Sequence, residues 1–325
     1  MPPPLVALFA TPGHPQAMAL EREIILRGGR VVTCDARADG SQGMAAGNGR
    51  LCWGGVDFSA VGAVHVVCTA LGTPPGVAPV RSPAVHLKAA ARFLQERERQ
   101  SAVRAFLGMA RDRGMPVVNP PGGAWADHEA KAGFYEKLSA WGFSVPKTLC
   151  ASDLAAVERF LAETPDAVIK PLAGVGSTRA VRPGGLKAAD LVLCPALLQE
   201  RVQGEVIRAH MVAGKLVLAL AVRGRGVDSR TGKRTVAKAD LPPGTASALL
   251  EATQRMGLLW AAWDAVRTPD GGLVLLDCNP GPYVLWTGEA HARRVLGELA
   301  GFLTAWAETG DQTVAARVVE GFHPA

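Results

Sequence analysis

At 325 residues the chain exceeds a minimal domain and accommodates two or three packed units, each with its own core. Hydrophobic content of 48% and charged content of 20% are those of a globular protein, neither disordered nor membrane-embedded. The formal charge of +6 favours acidic partners such as nucleotides, phosphates, acidic peptides or nucleic acid, yet no helix-turn-helix, zinc-finger or RNP-like string turns basicity into nucleic-acid recognition.

Leu5 to Ala10 lacks a preceding basic segment and is too short for a secretion signal, so it reads as a first strand. No run approaches the roughly 18 apolar residues of a membrane helix, which makes the cytoplasm the expected location and a membrane partner unexpected. Cys34, Cys52, Cys68, Cys150, Cys194 and Cys278 are scattered without a C-x-x-C pair, which points to reduced thiols and no zinc. The first third continues in βαβ grammar: helix Gln16 to Arg27, strands Val31 to Asp35 and Val64 to Thr69. Glycine-rich Asp39 to Gly55 reads as a long loop and Pro74 to Pro83 as a second connection. His86 to Arg113 has apolar residues at helical spacing, Val117 to Asn119 is a short strand, and Pro120 to Gly123 marks a domain boundary.

Beyond the boundary the order becomes α+β. A helix from Trp125 to Trp141 precedes strand Val145 to Cys150, Ser152 caps a helix reaching Glu163, and Ala167 to Pro171 is a strand. Strands then dominate: a run ending near Val202, a hairpin Val206 to Arg223 turning at Ala213-Gly214-Lys215, and a hairpin Trp260 to Asn279. A closing helix spans Glu289 to Trp306, and the last fifteen residues carry little signal.

The second hairpin is the most informative feature. Asp-Gly is a strong two-residue turn signal; with Asp270 and Gly271 as the loop, Asp264 lies opposite Asp277, their Cβ atoms about 5 Å apart. Alternation adds Leu273, Leu275 and Asn279 to the face of Asp277, and Ala262 and Val266 to that of Asp264. Two facing carboxylates repel, and a magnesium ion relieves this by taking oxygen ligands from both while leaving positions for phosphates and water. The other reading is a different register with both acids in solvent. Lys170, in the apolar strand Ala-Val-Ile-Lys-Pro-Leu, needs an anionic partner or must lose its charge. The loop after it, Ala173-Gly174-Val175-Gly176-Ser177-Thr178, either cradles phosphate through backbone N–H groups or is an ordinary turn. It is neither a P-loop nor a Rossmann fingerprint, and Gly226 to Lys233 has the wrong spacing for one.

The order of these pieces resembles the ATP-grasp superfamily over roughly Asn119 to Glu289. The resemblance implies an ATP-grasp fold behind an N-terminal Rossmann-like domain, divided at 1–119, 120–198 and 199–325. It implies that ATP phosphates meet Lys131, eleven residues before Gly142, together with Lys170 and the loop bearing Gly174, Gly176 and Ser177. Adenine would lie against Gln199, Glu200, Arg201 and Val202, ribose against Glu205, and Mg2+ on Asp264, Asp277 and Asn279. Asp277 stands where many members carry glutamate, a shorter arm that reshapes the second metal position. Gly204-Glu205-Val206-Ile207-Arg208 is similar to the G-x-D-I-R segment of ligases that add glutamate to ribosomal proteins, and the tail Asp277 to Trp286 and Val227 to Arg230 look like microviridin-type peptide maturases. By that resemblance Arg208 contacts the transferring phosphoryl group and Arg223 or Arg230 assists. The implied activity is ATP-dependent ligation of a carboxylate to an amine or hydroxyl through an acyl phosphate. A precursor peptide with Asp or Glu side chains is the first expected substrate and a free amino acid or small molecule the second; a non-catalytic nucleotide-binding protein is the alternative class, and a homodimer is admitted.

Overall fold

The computed structural model describes residues 2–35, 43–67, 83–120, 122–123, 127–128, 130–172, 177–224, 226–227 and 233–321, with backbone alone at 83–90, 92, 193 and 243. Two compact units emerge, one of Met1–Gly122 with Tyr283–Glu320 and one built on Gly123–Pro282.

In the first unit, β1 (Leu5–Phe9), α1 (Pro15–Leu26) and β2 (Arg30–Cys34) form the expected βαβ unit, with β1 and β2 parallel and Leu5 opposite Arg30. The segment expected as a loop over Asp39 to Gly55 is largely strand: β3 (Met44–Gly47) and β4 (Arg50–Trp53) form a hairpin, and β5 (Val56–Asp57) extends it. Asn48 and Gly49 make the turn at φ 47° and 82°, left-handed conformations that an Asn-Gly hairpin requires. Burial of Leu51 and Trp53, alternating with exposed Arg50 and half-buried Cys52, is the strand signal that glycine-rich composition concealed. β6 (Ala63–Val66) pairs with β1; its expected continuation to Thr69 and most of the Pro74 to Pro83 connection lie outside the described residues. The expected long helix is α2 (Pro83–Asp112), and β7 (Val117–Val118) completes a parallel sheet in the order β2-β1-β6-β7. Val103, Phe106, Leu107 and Ala110 bury one face of α2, with the Phe106 ring 4.8 Å from Phe58 and 5.2 Å from Trp53, both edge-on.

The second unit begins with α3 (Lys131–Ala140), the closing part of the helix expected from Trp125; residues 124–126 and 129 lie outside the described set. β8 (Thr148–Ala151) starts after Pro146, whose missing N–H cannot serve a ladder. The cap of α4 (Leu154–Glu163) is Asp153 rather than Ser152, its carboxylate accepting from the N–H groups of Ala155 and Ala156 at 3.3 and 3.0 Å. β9 (Ala167–Lys170), β10 (Arg179–Val181), a short α5 (Ala188–Leu193) and β11 (Ala196–Glu200) follow, giving an antiparallel sheet in the order β10-β9-β11-β8.

A second sheet, β14-β13-β12-β15-β16, comprises β12 (Glu205–Val212), β13 (Lys215–Gly224), β14 (Arg234–Lys238), β15 (Trp260–Arg267) and β16 (Leu273–Asn279), with α6 (Pro243–Arg255) between β14 and β15. The expected turn at Ala213 and Gly214 is present, at φ 48° and 75°. Ile207, Ala209 and Met211 of β12 share a core with Ala261, Trp263 and Ala265 of β15, closed by Phe134, Tyr135 and Leu138 of α3 and Leu249 and Ala252 of α6. Alternation sends Val206, Arg208 and His210 to the opposite face.

The chain then returns to the first unit. α7 (Glu289–Thr309) packs on α1, β1 and β6, and α8 (Gln312–Arg317) packs on α7. The approach is tight: a Cβ on Gly62 would lie 2.4 Å from the Ala307 carbonyl oxygen. Tyr283–Glu320 therefore groups with the N-terminal residues, whereas the sequence-based division assigns all of 199–325 to one lobe. Among the described residues no helix is long and apolar enough to cross a membrane.

Candidate active site

Asp264 of β15 and Asp277 of β16 are register partners, as the hairpin signal requires, but by a different route. The turn is not the two residues Asp270 and Gly271. Arg267 pairs with Leu273, leaving a five-residue loop closed by N–H donation from Thr268 to the Gly272 carbonyl at 2.9 Å. That register alone would place Leu276 opposite Asp264. A β-bulge between Asp264 and Ala265 restores the carboxylate pair by leaving Leu276 as the extra residue. The bulge also moves Leu275 away from the acids: it pairs with Ala265 and joins the core with Cys278, correcting the expected apolar face of Leu273 and Leu275 around Asp277.

Each carboxylate holds its own cation. Arg208 lies opposite Asp264 across β12 and β15, and its Nη1 donates to both carboxylate oxygens at 2.8 and 2.9 Å. Lys131, at the first turn of α3, donates from Nζ to Asp277 Oδ1. The two cations are nearly enclosed, with side chains 11% and 6% exposed, while the acids keep 34% and 31% of their surface. A buried ammonium at a helix N-terminus is opposed by both desolvation and the helix dipole, and the Asp277 carboxylate supplies the opposite charge there.

His128 and Tyr135 also belong to the cluster, and neither was expected. His128 Nδ1 lies 3.0 Å from the Cys278 carbonyl oxygen, 3.2 Å from Lys131 Nζ and 3.5 Å from Asp277 Oδ1. Tyr135 donates its hydroxyl to the Leu276 carbonyl at 2.8 Å, at the bulge itself, and accepts from Lys170 Nζ at 3.4 Å. Tyr135, four residues after Lys131, shares its helical face, and that spacing is its sequence signal; His128 lies ahead of the helix, beyond the non-helical Ala130 at φ −121°, and had no such signal. Burial of the Asp277 carboxylate works to raise its pKa, but the hydrogen bond from His128 and the charge of Lys131 outweigh it and hold the group well below the usual carboxylate range. Burial and then the Asp277 charge push the Tyr135 phenol up, against a hydrogen bond from Gln199.

The remaining expected residues divide into groups. Lys170 ends β9, half-buried, with Nζ 5.7 Å over the Tyr135 ring. Ser177 is exposed; Gly174 and Gly176 lie outside the described residues, as does Arg230. Gln199 is fully buried in β11 and donates from Nε2 to Thr148 Oγ1 at 2.9 Å. The N–H groups of Glu200 and Arg201 donate to the Lys147 and Asp166 carbonyls at 3.0 and 2.8 Å, the Arg201 side chain is exposed and Val202 is half-buried. Glu205 opens β12 after Gly204, where a Cβ would lie 2.2 Å from the Arg267 carbonyl oxygen, so only glycine fits at φ 147°. The Glu205 carboxylate pairs with Arg267 and lies 4.0 Å from Arg223. Glu205 is two residues before core-facing Ile207, and Arg223 two after Ala221, its partner. Alternation therefore puts both on the face opposite Arg208, and the structure brings Arg223 to Glu205, not to Arg208.

Among the described residues no three His, Cys, Asp or Glu side chains cluster as a metal site. The donor set of Asp264, Asp277 and Asn279 is all oxygen, the acids face each other, and Asn279 Oδ1 is oriented by accepting from the Gly281 N–H at 2.9 Å. Such donors fit a hard divalent ion that also takes phosphate and water ligands, provided Arg208 and Lys131 yield their oxygens.

No family model and no curated protein matches the chain. Solved structures do. The ATP-grasp ligase PsnB, complexed with a phosphomimetic variant of minimal precursor, Mg and ADP, superposes with a TM-score of 0.80 at 22% identity over 93% of this chain and 98% of that one. The macrocyclase MdnC bound with precursor peptide MdnA from Microcystis aeruginosa MRC gives 0.72 at 18% identity, covering 92% and 98%. A RimK domain ATP-grasp protein from Sphaerobacter thermophilus DSM 20745 gives 0.59 at 18% identity, covering 92% and 98%. The chain has the ATP-grasp fold, as its motif order implied.

Proposed function

We propose that this protein is an ATP-dependent ligase that activates a carboxylate as an acyl phosphate and joins it to an amine or hydroxyl. The observation carrying the reading is the pair Asp264 and Asp277, register partners with enclosed cations Arg208 and Lys131 and with Lys170 linked to the same cluster through Tyr135. A fold core alone would gain more from apolar residues at these positions than from charges that must be desolvated.

In this reading the four-stranded sheet β10-β9-β11-β8 and the five-stranded sheet β14-β13-β12-β15-β16 belong to the two lobes that clasp ATP. Gln199 to Val202 hold adenine, while Lys131, Lys170 and the loop carrying Gly174, Gly176 and Ser177 bind the phosphates; the expected ribose role of Glu205 is not kept, because Glu205 pairs with Arg267 on the face opposite Arg208. Asp264, Asp277 and Asn279 would hold Mg2+, which supplies charge neutralisation across the transferring and leaving phosphate oxygens. A substrate carboxylate oxygen attacks the γ-phosphorus, the bond to the β-phosphate oxygen breaks, and ADP leaves with the electron pair. Arg208, once released by Asp264, stabilises the charge that gathers on the transferring group. The incoming amine or hydroxyl then attacks the acyl carbon, loses its proton, and expels phosphate. Of the two assisting candidates, the place of Arg223 beside Glu205 favours Arg230.

PsnB and MdnC are a ligase and a macrocyclase complexed with precursor peptides, and their likeness in fold supports a peptide with Asp or Glu side chains as the substrate, in the cytoplasm where ATP is supplied; a homodimer is compatible with it. The test is phosphate release from ATP and Mg2+ in the presence of acidic peptides, free amino acids or neither. Peptide-dependent release with loss of water mass from the peptide supports the proposal. Release driven by free amino acids alone moves the substrate to the small-molecule class, and tight ADP binding without release under any condition overturns the ligase in favour of a nucleotide-binding protein.

A further inference from the structure

Lys170 on β9 and the Leu276 bulge on β16 belong to separate strands, and in the proposed function they serve phosphate and metal respectively. One atom touches both. The Tyr135 hydroxyl donates to the Leu276 carbonyl at 2.8 Å and accepts from Lys170 Nζ at 3.4 Å. A phenol offers one donor and accepts at its oxygen, so this arrangement uses both. The ring is 2% exposed and packs edge-on to Phe134 at 5.2 Å, and Phe134 stacks on Trp263 at 6.3 Å. The oxygen is therefore fixed by a rigid core rather than by the groups it binds.

We propose that Tyr135 is a positioning residue that sets the Lys170 ammonium and the Asp277 bulge relative to each other before nucleotide arrives. The proposal rests on the nucleotide reading given above. The bulge brings Asp277 opposite Asp264, and its outward carbonyl is the group that Tyr135 captures. An apolar side chain there would leave that carbonyl unmet and allow Leu276 to return to the ladder, which slides Asp277 out of register. The same hydroxyl orients the Lys170 ammonium and, being neutral, adds no negative charge of its own beside it.

Tyr135→Phe keeps the ring and removes only the oxygen. Its affinity for ADP with Mg2+, measured by calorimetry, is expected to fall about tenfold, the scale of one hydrogen bond to a charged group. The discriminating measurement is the double mutant. If Tyr135 acts in part through Lys170, adding Tyr135→Phe to Lys170→Ala costs less than Tyr135→Phe alone, leaving only the share that passes through Asp277, whereas a merely structural loss adds in full. A full additive loss, or wild-type affinity in Tyr135→Phe, overturns the role.

A second readout leaves the packing untouched. Tyr135 and Tyr283 are the only tyrosines in the sequence, so 3-fluorotyrosine labelling yields two 19F resonances, assigned with Tyr283→Phe. Lys170→Ala is expected to move the Tyr135 line before any nucleotide is added, and Mg2+ with ADP to move it in the wild type. A Tyr135 line indifferent to Lys170→Ala overturns the coupling whatever the nucleotide does. A wild type that binds no ADP, with the coupling intact, overturns the nucleotide reading instead.

Discussion

The five-stranded sheet of the second unit carries two sets of acids, each paired with basic side chains, that differ little in their own exposure and greatly in the burial of their cations. Asp264 and Asp277 bind cations whose side chains are 11% and 6% exposed. Glu205, on the other face, binds Arg267, 33% exposed, and approaches Arg223, 77% exposed. Solvent reaches these cations more readily, so they contribute less to stability than enclosed ones. In the first set the cations have given up water, and removing an acid strands its cation. The lesson is that the enclosed pairs are where a ligand with opposite charges, divalent on one side and polyphosphate on the other, can exchange with existing partners without desolvating new groups.

The largest effect tests the enclosed set directly. Asp277→Asn leaves the Lys131 ammonium without its carboxylate and is expected to cost about 3 kcal/mol in urea unfolding. Phosphate release should fall on the order of 100-fold or more. Undiminished stability would mean that Lys131 is solvated in solution, and the contrast between the two sets would vanish.

The acid limb of the stability curve sharpens the same point. Asp277 has its folded pKa lowered by His128 and Lys131 against burial, so the unfolded chain takes up the proton first. Its contribution is complete above the unfolded carboxylate value of about 3.9 and is lost as pH falls from there through the folded value. Unfolding followed from pH 6 downward should steepen below about pH 4, and Asp277→Asn should flatten that limb. An unchanged limb in the variant would detach the pKa from the pair.

How much of this was legible in sequence depends on where the determining contact lies. Asp264 facing Asp277 was read from Asp-Gly, yet the reading rested on a two-residue turn that is absent; the longer loop and the bulge displace the register by one each and cancel. The bulge could not be read because Tyr135, which captures it, is 141 residues away. Lys131 was legible by its spacing from Gly142, but its partner is 146 residues distant, and a helix-terminal lysine otherwise looks solvated. The closing helix α7 was legible, while its destination was not: a helix read from sequence does not say against which sheet it packs. In contrast Asn48-Gly49 was a local signal, masked only by surrounding glycines.

Arginine replacement compares the two faces with the chemistry held constant. Arg208→Met leaves Asp264 partly hydrated and should cost about 1–2 kcal/mol, because a third of that carboxylate already meets water. Arg267→Met should cost less than about 1 kcal/mol. Turnover should separate them further: Arg208→Met is expected to lower kcat about 100-fold with ADP affinity little changed, and Arg267→Met, on the opposite face, to leave both within about twofold. Equal losses in kcat would erase the distinction between the two faces.

The smallest effect falls on Arg223, and it is the most pointed. Its guanidinium is mostly in solvent, so Arg223→Ala should stay within about 0.5 kcal/mol of the wild type in unfolding. Strand alternation places it on the Glu205 side of the sheet, away from Arg208, so its kcat should change no more than about twofold while Arg230→Ala loses far more. A loss in Arg223→Ala approaching that of Arg208→Met would require the guanidinium to cross the end of the sheet when nucleotide binds. The residue pairing Glu205 in the free protein would then be the one delivered to the acyl phosphate, and the two faces would be joined by a moving side chain rather than divided by a strand.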